Sequence, residues 1–234
     1  MIPIRDTIPA RRIPIVNFLL ILLNVYVFVN MLRIPPRGIE AFVGYWGLIP
    51  GRLLDFSVMN WKLLPNGGMK TVFSSMFLHA GWMHLIGNMW SLYLFGDNVE
   101  DRLGHIRYLL FYVLSGIAAM MVHVLLNPTS MVPTIGASGA IAGVMGAYFL
   151  LFPRSRILVL IPVFFYPLFF EVPAVVYLFV WFVSQIFSGT ASLMAGASSF
   201  GGIAFWAHIG GFIGGMSLQK IIKPGQRSGT FRLG

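Results

Sequence analysis

Ser138 stands between glycines at the head of an apolar run, in Gly136-Ala137-Ser138-Gly139. Two other apolar runs also carry polar side chains. FLHAGWMHLIGNMW holds His79, His84 and Asn88, and FWAHIGGFIGG holds His208. Polar and ionisable groups inside apolar segments are costly and mark function by default. These types suit acyl transfer. A serine hydroxyl beside a neutral imidazole is activated as a nucleophile. A helix N-terminus offers unpaired backbone N–H groups and a positive dipole end, and both favour the negative oxygen of a tetrahedral intermediate. His84 and Asn88 are four residues apart, share one helix face, and can add donors to that oxygen. No Asp or Glu lies near Ser138 or His208 in its own run. A dyad is therefore expected rather than a triad.

Each residue alone has a plainer explanation. Ser138 fits a packing face of small residues, with Gly139/Gly143 and Ala142/Gly146 as small-xxx-small pairs. Gly210, Gly211, Gly214 and Gly215 read first as packing, His208 as a satisfied buried imidazole, and His84 and Asn88 as interhelical ties. What favours chemistry is that the elements carrying them can bring them together.

Those elements are apolar throughout. The 234 residues are 57% hydrophobic and 10% charged, against about 25% charged in a soluble domain, and mean hydropathy is +0.81. The expected fold is all-α and polytopic, a single transmembrane domain over 1–234 with no separate soluble domain. Apolar runs fall at 13–32, 72–95, 106–126, 136–152, 172–188 and 203–222; a spanning helix needs about 20 residues. The first run is too long for a signal h-region and reads as a retained span. A further stretch, 157–170, is short and broken by Pro162 and Pro167, so an interfacial or re-entrant lead-in is expected there. The long first connection mixes aromatics, glycines and charges in AFVGYWGLIPGRLLDF, which suits an element lying in the interface. The fifth connection, GTASLMAGASSFGG, reads as a loop.

The net charge of +9 lies in loops and tails. The positive-inside rule explains it better than nucleic acid does, and predicts six spans with both termini cytoplasmic, in the cell membrane. Runs two, four and six then all cross from outside to inside. His84, Ser138 and His208 meet in the outer leaflet. An extra span at 157–170 would reverse the last helix and carry His208 away from Ser138.

Other chemistries fit less well. H-E-x-x-H is absent, and an aspartyl site needs two Asp within spans, whereas Asp97 sits at a loop edge. No Cys is present, so thiolate metal sites are excluded. No metal or other cofactor is expected. A channel or transporter would want charged or broken helices at mid-membrane. His105 and His123 look peripheral, and Glu171 reads as a helix-entry or interface residue.

GASG at 136–139, AHIGG at 207–211 and HAGWMHLIGN at 79–88 resemble the rhomboid intramembrane serine proteases. GDNVEDRLG resembles that family's G-x-x-x-E-x-x-x-G element through Gly96, Glu100 and Gly104. By motif the resemblance covers about 70–234, and by layout the whole chain. It implies a six-helix rhomboid fold that cleaves transmembrane segments of single-span or polytopic membrane proteins in the bilayer. Ser138 would be nucleophile and His208 general base, with the Ser138 N–H, His84 and Asn88 as oxyanion hole. The family also holds inactive members that bind or escort transmembrane clients, the alternative for this chain. Two departures stand out. GMKTVF lacks a Trp-Arg doublet that some members carry, and Ala142 stands where some place an aromatic against the catalytic histidine.

Overall fold

The computed structural model describes residues 1–53, 68–163, 166–195 and 204–222. The described chain runs β1 (Ile2–Asp6), α1 (Ile15–Met31), α2 (Pro36–Trp46), α3 (Pro50–Leu53), α4 (Lys70–Ser74), a 3-10 turn (Ser75–Phe77), α5 (Trp82–Leu103), α6 (His105–Leu126), α7 (Ser138–Leu151), β2 (Arg156–Val163), β3 (Tyr166–Pro173), α8 (Ala174–Ala195) and α9 (Phe205–Ile222).

The central element is α7. Gly139 through Tyr148 are all buried, as expected of a helix apolar on every side. It packs against α9 at backbone distance. A Cβ added at Gly146 would meet the Phe212 carbonyl; one at Gly211 or Gly215 would meet the carbonyl of Gly139 or Gly143. These small residues let two helices touch along their main chains. Outer faces are apolar too: Leu19, Leu22 and Tyr26 of α1, and Phe179, Val180 and Phe187 of α8, are exposed. Among the described residues, α6 and Ala174–Ser192 of α8 are long and apolar enough to cross a membrane, while α1 and α7 are shorter apolar helices.

Gly96, Glu100 and Gly104 join three helices. α1 has no side-chain cap and no acidic residue in its first turn. Glu100 of α5, only 1% exposed, supplies one from outside, accepting from the N–H groups of Val16 at 3.0 Å and Asn17 at 2.7 Å. A carboxylate there also complements the positive end of the α1 dipole. His105, which looked peripheral in the sequence, bonds the same carboxylate through Nδ1 at 2.5 Å. Gly96 leaves room for the Asn17 side chain, which donates to Leu92 O at 3.0 Å and accepts from the Tyr108 hydroxyl at 2.7 Å. Gly104, at φ 81°, turns the chain from α5 into α6. Glu100→Ala should therefore destabilise by about 2–3 kcal/mol, because hydrogen bonds to charged groups are worth roughly 1.5–3 kcal/mol each and the two N–H groups lose their acceptor. Thermal unfolding in detergent measures this, and an unchanged Tm would refute the capping role.

The all-helical expectation misses a three-stranded sheet, β1-β2-β3, antiparallel throughout. Where an interfacial or re-entrant lead-in was expected at 157–170, Arg156–Val163 and Tyr166–Pro173 pair as antiparallel strands. Alternate Ile157 and Val159 are buried, the period-2 pattern of a half-buried strand. Pro162 faces Pro167 near the strand ends, where neither needs to donate. Glu171 lies on β3 and pairs with Arg156 at 3.1 Å. The N-terminal segment is the third strand. Its Asp6 accepts from the Tyr148 hydroxyl at 2.5 Å and from Asn98 Nδ2 at 2.8 Å, fastening the sheet to α7 and α5. Burial pushes the Asp6 carboxyl above the usual carboxylate range.

Two helices depart clearly from their apolar runs. α5 begins at Trp82, and 70–77 form α4 and the 3-10 turn. α8 continues to Ala195, so 189–195 of the fifth connection are helical; its 196–202, like 54–67 of the first connection, lie outside the described residues. Lys70, in the stretch that lacks the doublet, ties α4 to α2. Its ammonium lies 4.0 Å from the Tyr45 ring centroid and 4.8 Å from that of Trp46, and donates to the Tyr45 hydroxyl at 2.6 Å.

Candidate active site

The turn into α7 sets the position of Ser138. Gly136 has φ 128°, a conformation that L side chains rarely adopt. Its N–H is held by the Ser75 carbonyl at 2.8 Å. A Cβ there would lie 2.7 Å from His84 Nε2, so glycine is required twice over. Ser138 is the first residue of α7, and the helix's first bond runs from Ile141 N–H to Ala137 O at 3.0 Å. The N–H groups of Ser138, Gly139 and Ala140 are left without intrahelical acceptors.

His208 lies one turn into α9. The α7–α9 contact brings its Nε2 to 2.8 Å from Ser138 Oγ. His84, one turn into α5, has Nδ1 at 3.4 Å from the Ala80 N–H, a long bond; its Nε2 faces Gly136. Asn88 follows one turn later, 7% exposed, and its buried Nδ2 has no hydrogen-bond partner among the described residues. Ser138, His208, His84 and Asn88 line one cavity of about 780 Å³, with Met120 and Pro133. The four residues singled out by type thus meet in one place. Gly96, Glu100 and Gly104 do not line this cavity. They organise the helices, as described above.

His79 is buried against His84, ring centroids 5.0 Å apart. It lines a neighbouring cavity of about 740 Å³ between α1, α2 and the 133–135 segment. His123 is not peripheral either. Its Nε2 lies 2.9 Å from Thr134 Oγ1 and holds the loop that precedes Gly136.

Sequence reasoning missed Gln185. From α8, its Oε1 reaches His208 Nδ1 at 2.8 Å. The signal was available: Gln185 is a polar side chain within the apolar run 172–188. The aromatic absent at Ala142 is also supplied by other elements. The rings of Trp181 and Phe205 lie 5.9 and 6.4 Å from that of His208. Ala142 faces α9 closely: a Cβ added at Gly211 would lie 3.3 Å from its own.

The family model described as Rhomboid domain matches residues 66–224. The chain belongs to the rhomboid family. Ser138, His208, His84 and Asn88 all fall inside that match. RHOMBOID-like protein 6, mitochondrial, of Arabidopsis thaliana is 36% identical over 96 residues, 41% of this chain and 31% of that protein. Rhomboid protease GluP of Bacillus subtilis is 34% identical over 95 residues, 41% of this chain and 18% of that protein. Rhomboid protein 1, mitochondrial, of Saccharomyces cerevisiae is 29% identical over 150 residues, 62% and 40% of the two chains. The matched stretches therefore span less than half of each relative. Rhomboid proteins are membrane proteins, and the names of these relatives place some of them in mitochondria.

Proposed function

We propose that this rhomboid is an intramembrane serine protease, cutting peptide bonds in or near transmembrane segments of other membrane proteins. The observation that carries the reading is the Ser138 Oγ to His208 Nε2 contact of 2.8 Å at the N-terminus of a buried helix. His208 Nε2 takes the hydroxyl proton as Oγ attacks the substrate carbonyl. The carbonyl oxygen becomes negative beside the free Ser138 N–H, His84 Nε2 and Asn88 Nδ2. His208 then returns the proton to the leaving amine, and water releases the acyl group by the same steps. An inactive, client-binding relative would have no need to keep the hydroxyl, imidazole and spare amide donor on one cavity.

The bilayer reading is six spans, α1 and α5 to α9, with both termini cytoplasmic and the site in the outer leaflet of the cell membrane. A spanning helix hides its peptide bonds in internal hydrogen bonds. Substrates that unwind easily near their outer end, through Gly or Pro, are preferred over a polyleucine segment. The test of the whole reading is labelling of the purified protein by a serine-directed fluorophosphonate, mapped to its peptide, together with co-expression of candidate single-span proteins. Absence of any adduct at Ser138, with no client cleaved, would remove the protease reading.

Asn88→Ala separates chemistry from packing. Loss of one oxyanion donor in a soluble protease costs about 10²–10³ in kcat. Here His84 and the Ser138 N–H partly substitute, so a fall of roughly 10–100-fold is expected, in kcat and not in KM. An intramembrane hydrogen bond averages about 0.6 kcal/mol, so Tm moves little. Unchanged kcat per titrated site with a large drop in Tm would make Asn88 a structural tie only.

A further inference from the structure

We infer that Gln185 is a positioning residue that fixes the reactive tautomer of His208, making the catalytic unit Ser138–His208–Gln185 rather than a dyad. The inference rests on the Ser–His reading and adds a third side chain, carried by α8.

The end of the Gln185 amide that faces the imidazole decides the tautomer. An amide has a donor end and an acceptor end, and its neighbours decide the orientation. Nε2 lies 3.3 Å from the Trp181 carbonyl oxygen, which can only accept. Nε2 also donates to Ser184 Oγ at 3.0 Å, and that hydroxyl donates in turn to the Trp181 carbonyl at 2.6 Å. Rotating the amide by half a turn would set Oε1 against the Trp181 carbonyl, acceptor against acceptor. Oε1 is therefore the atom at 2.8 Å from His208 Nδ1. An oxygen acceptor requires Nδ1 to carry the proton. In a neutral imidazole Nε2 is then the bare nitrogen, and Nε2 is the atom facing Ser138 Oγ at 2.8 Å. One helix turn of α8 thus determines that the ring accepts the serine proton instead of offering one.

Gln185 is 9% exposed, so water offers Nδ1 little alternative. Among the described residues, no carboxylate stands in this role, since the partners of Nδ1 and Nε2 are Gln185 and Ser138 alone. A neutral amide suits a buried apolar site. It orients the ring without placing a second charge there, which a low-dielectric interior penalises. The ring is further confined by Trp181, one turn before Gln185 on the same helix. Ring orientation and tautomer therefore both depend on α8 standing where it does.

The test uses the full chain in detergent with two substitutions. Gln185→Met keeps the length and removes the acceptor. Gln185→Glu keeps an acceptor. Expected for Q185M is a fall in kcat of about 10–100-fold with KM within twofold, because the competent tautomer is no longer selected. Q185E should retain at least about tenfold more kcat than Q185M, since the acceptor is what matters. Independently of turnover, ¹⁵N-histidine spectra report which ring nitrogen holds the proton, with the His208 signals assigned by their loss in His208→Ala. The parent should show the proton on Nδ1, and Q185M should shift population to Nε2. Three results would overturn the assignment: the parent protonated at Nε2, Q185M with an unshifted tautomer, or Q185M and Q185E losing kcat equally alongside Tm. If the parent neither cleaves nor reacts with a fluorophosphonate, the protease reading fails, while the spectra still decide Gln185.

Discussion

Ser138→Ala and His208→Ala are each expected to abolish cleavage, and the double substitution to cost no more than either alone. Residues acting as one unit are non-additive in this way; in a soluble serine protease, loss of serine or histidine alone costs about 10⁶ in kcat. The 2.8 Å contact makes the two side chains such a unit. Without Ser138 the imidazole has no nucleophile to activate, and without His208 the hydroxyl keeps its proton. Both side chains are small or partly buried polar groups, so stability should change little, and a normal Tm would show that the loss is chemical. Cleavage of a co-expressed single-span client, read by immunoblot against the parent, is the measurement. Robust turnover by Ser138→Ala would end the serine-protease reading.

Gly211→Ala is expected to cost activity from outside the catalytic cavity. The added Cβ runs into the carbonyl of Gly139, the residue that follows Ser138. Backbone cannot rotate away as a flexible side chain can, so α7 and α9 must part. Overpacking of this kind costs about 1–3 kcal/mol. The larger consequence is geometric. Ser138 and His208 stand on the two helices being separated, and a misplacement of about 1 Å can cost 10²-fold in rate. The expected result is a fall of about 100-fold in kcat among molecules that remain folded, with a lowered Tm. Gly44→Ala is the control, because a Cβ there meets nothing within 4 Å. Gly211→Ala with parental kcat and Tm would show that the α7–α9 contact is not what sets the site.

Much of this was legible from residue types. Apolar runs pointed to the long helices, because a chain that is 57% hydrophobic leaves few positions where a polar group goes unnoticed. Ser138, His208, His84 and Asn88 were conspicuous for that reason. The antiparallel pair Arg156–Val163 and Tyr166–Pro173 was not legible as strands. Its strands are short apolar runs, and such runs suit a buried strand and a helix segment alike until a partner strand is known. β2 has two partners, the neighbouring β3 and β1, the latter more than 150 residues away in sequence at Ile2↔Leu160. Gln185 was overlooked because its meaning depends on a neighbour 23 positions along the chain.

Composition and motif spacing specified an apolar helical protein, its family resemblance and the residues able to perform acyl transfer. These are properties of local chemistry, since side-chain type and the 3.6-residue period need no knowledge of what packs where. Packing alone established that α7 lies at the centre, that Glu100 caps a helix 83 residues distant, and that the Gln185 amide faces Nδ1 with its oxygen. Each of these is a contact between segments far apart in sequence. Its energy comes from excluded volume and hydrogen-bond satisfaction in three dimensions, and neither quantity can be read from the order of residues along one strand of chain.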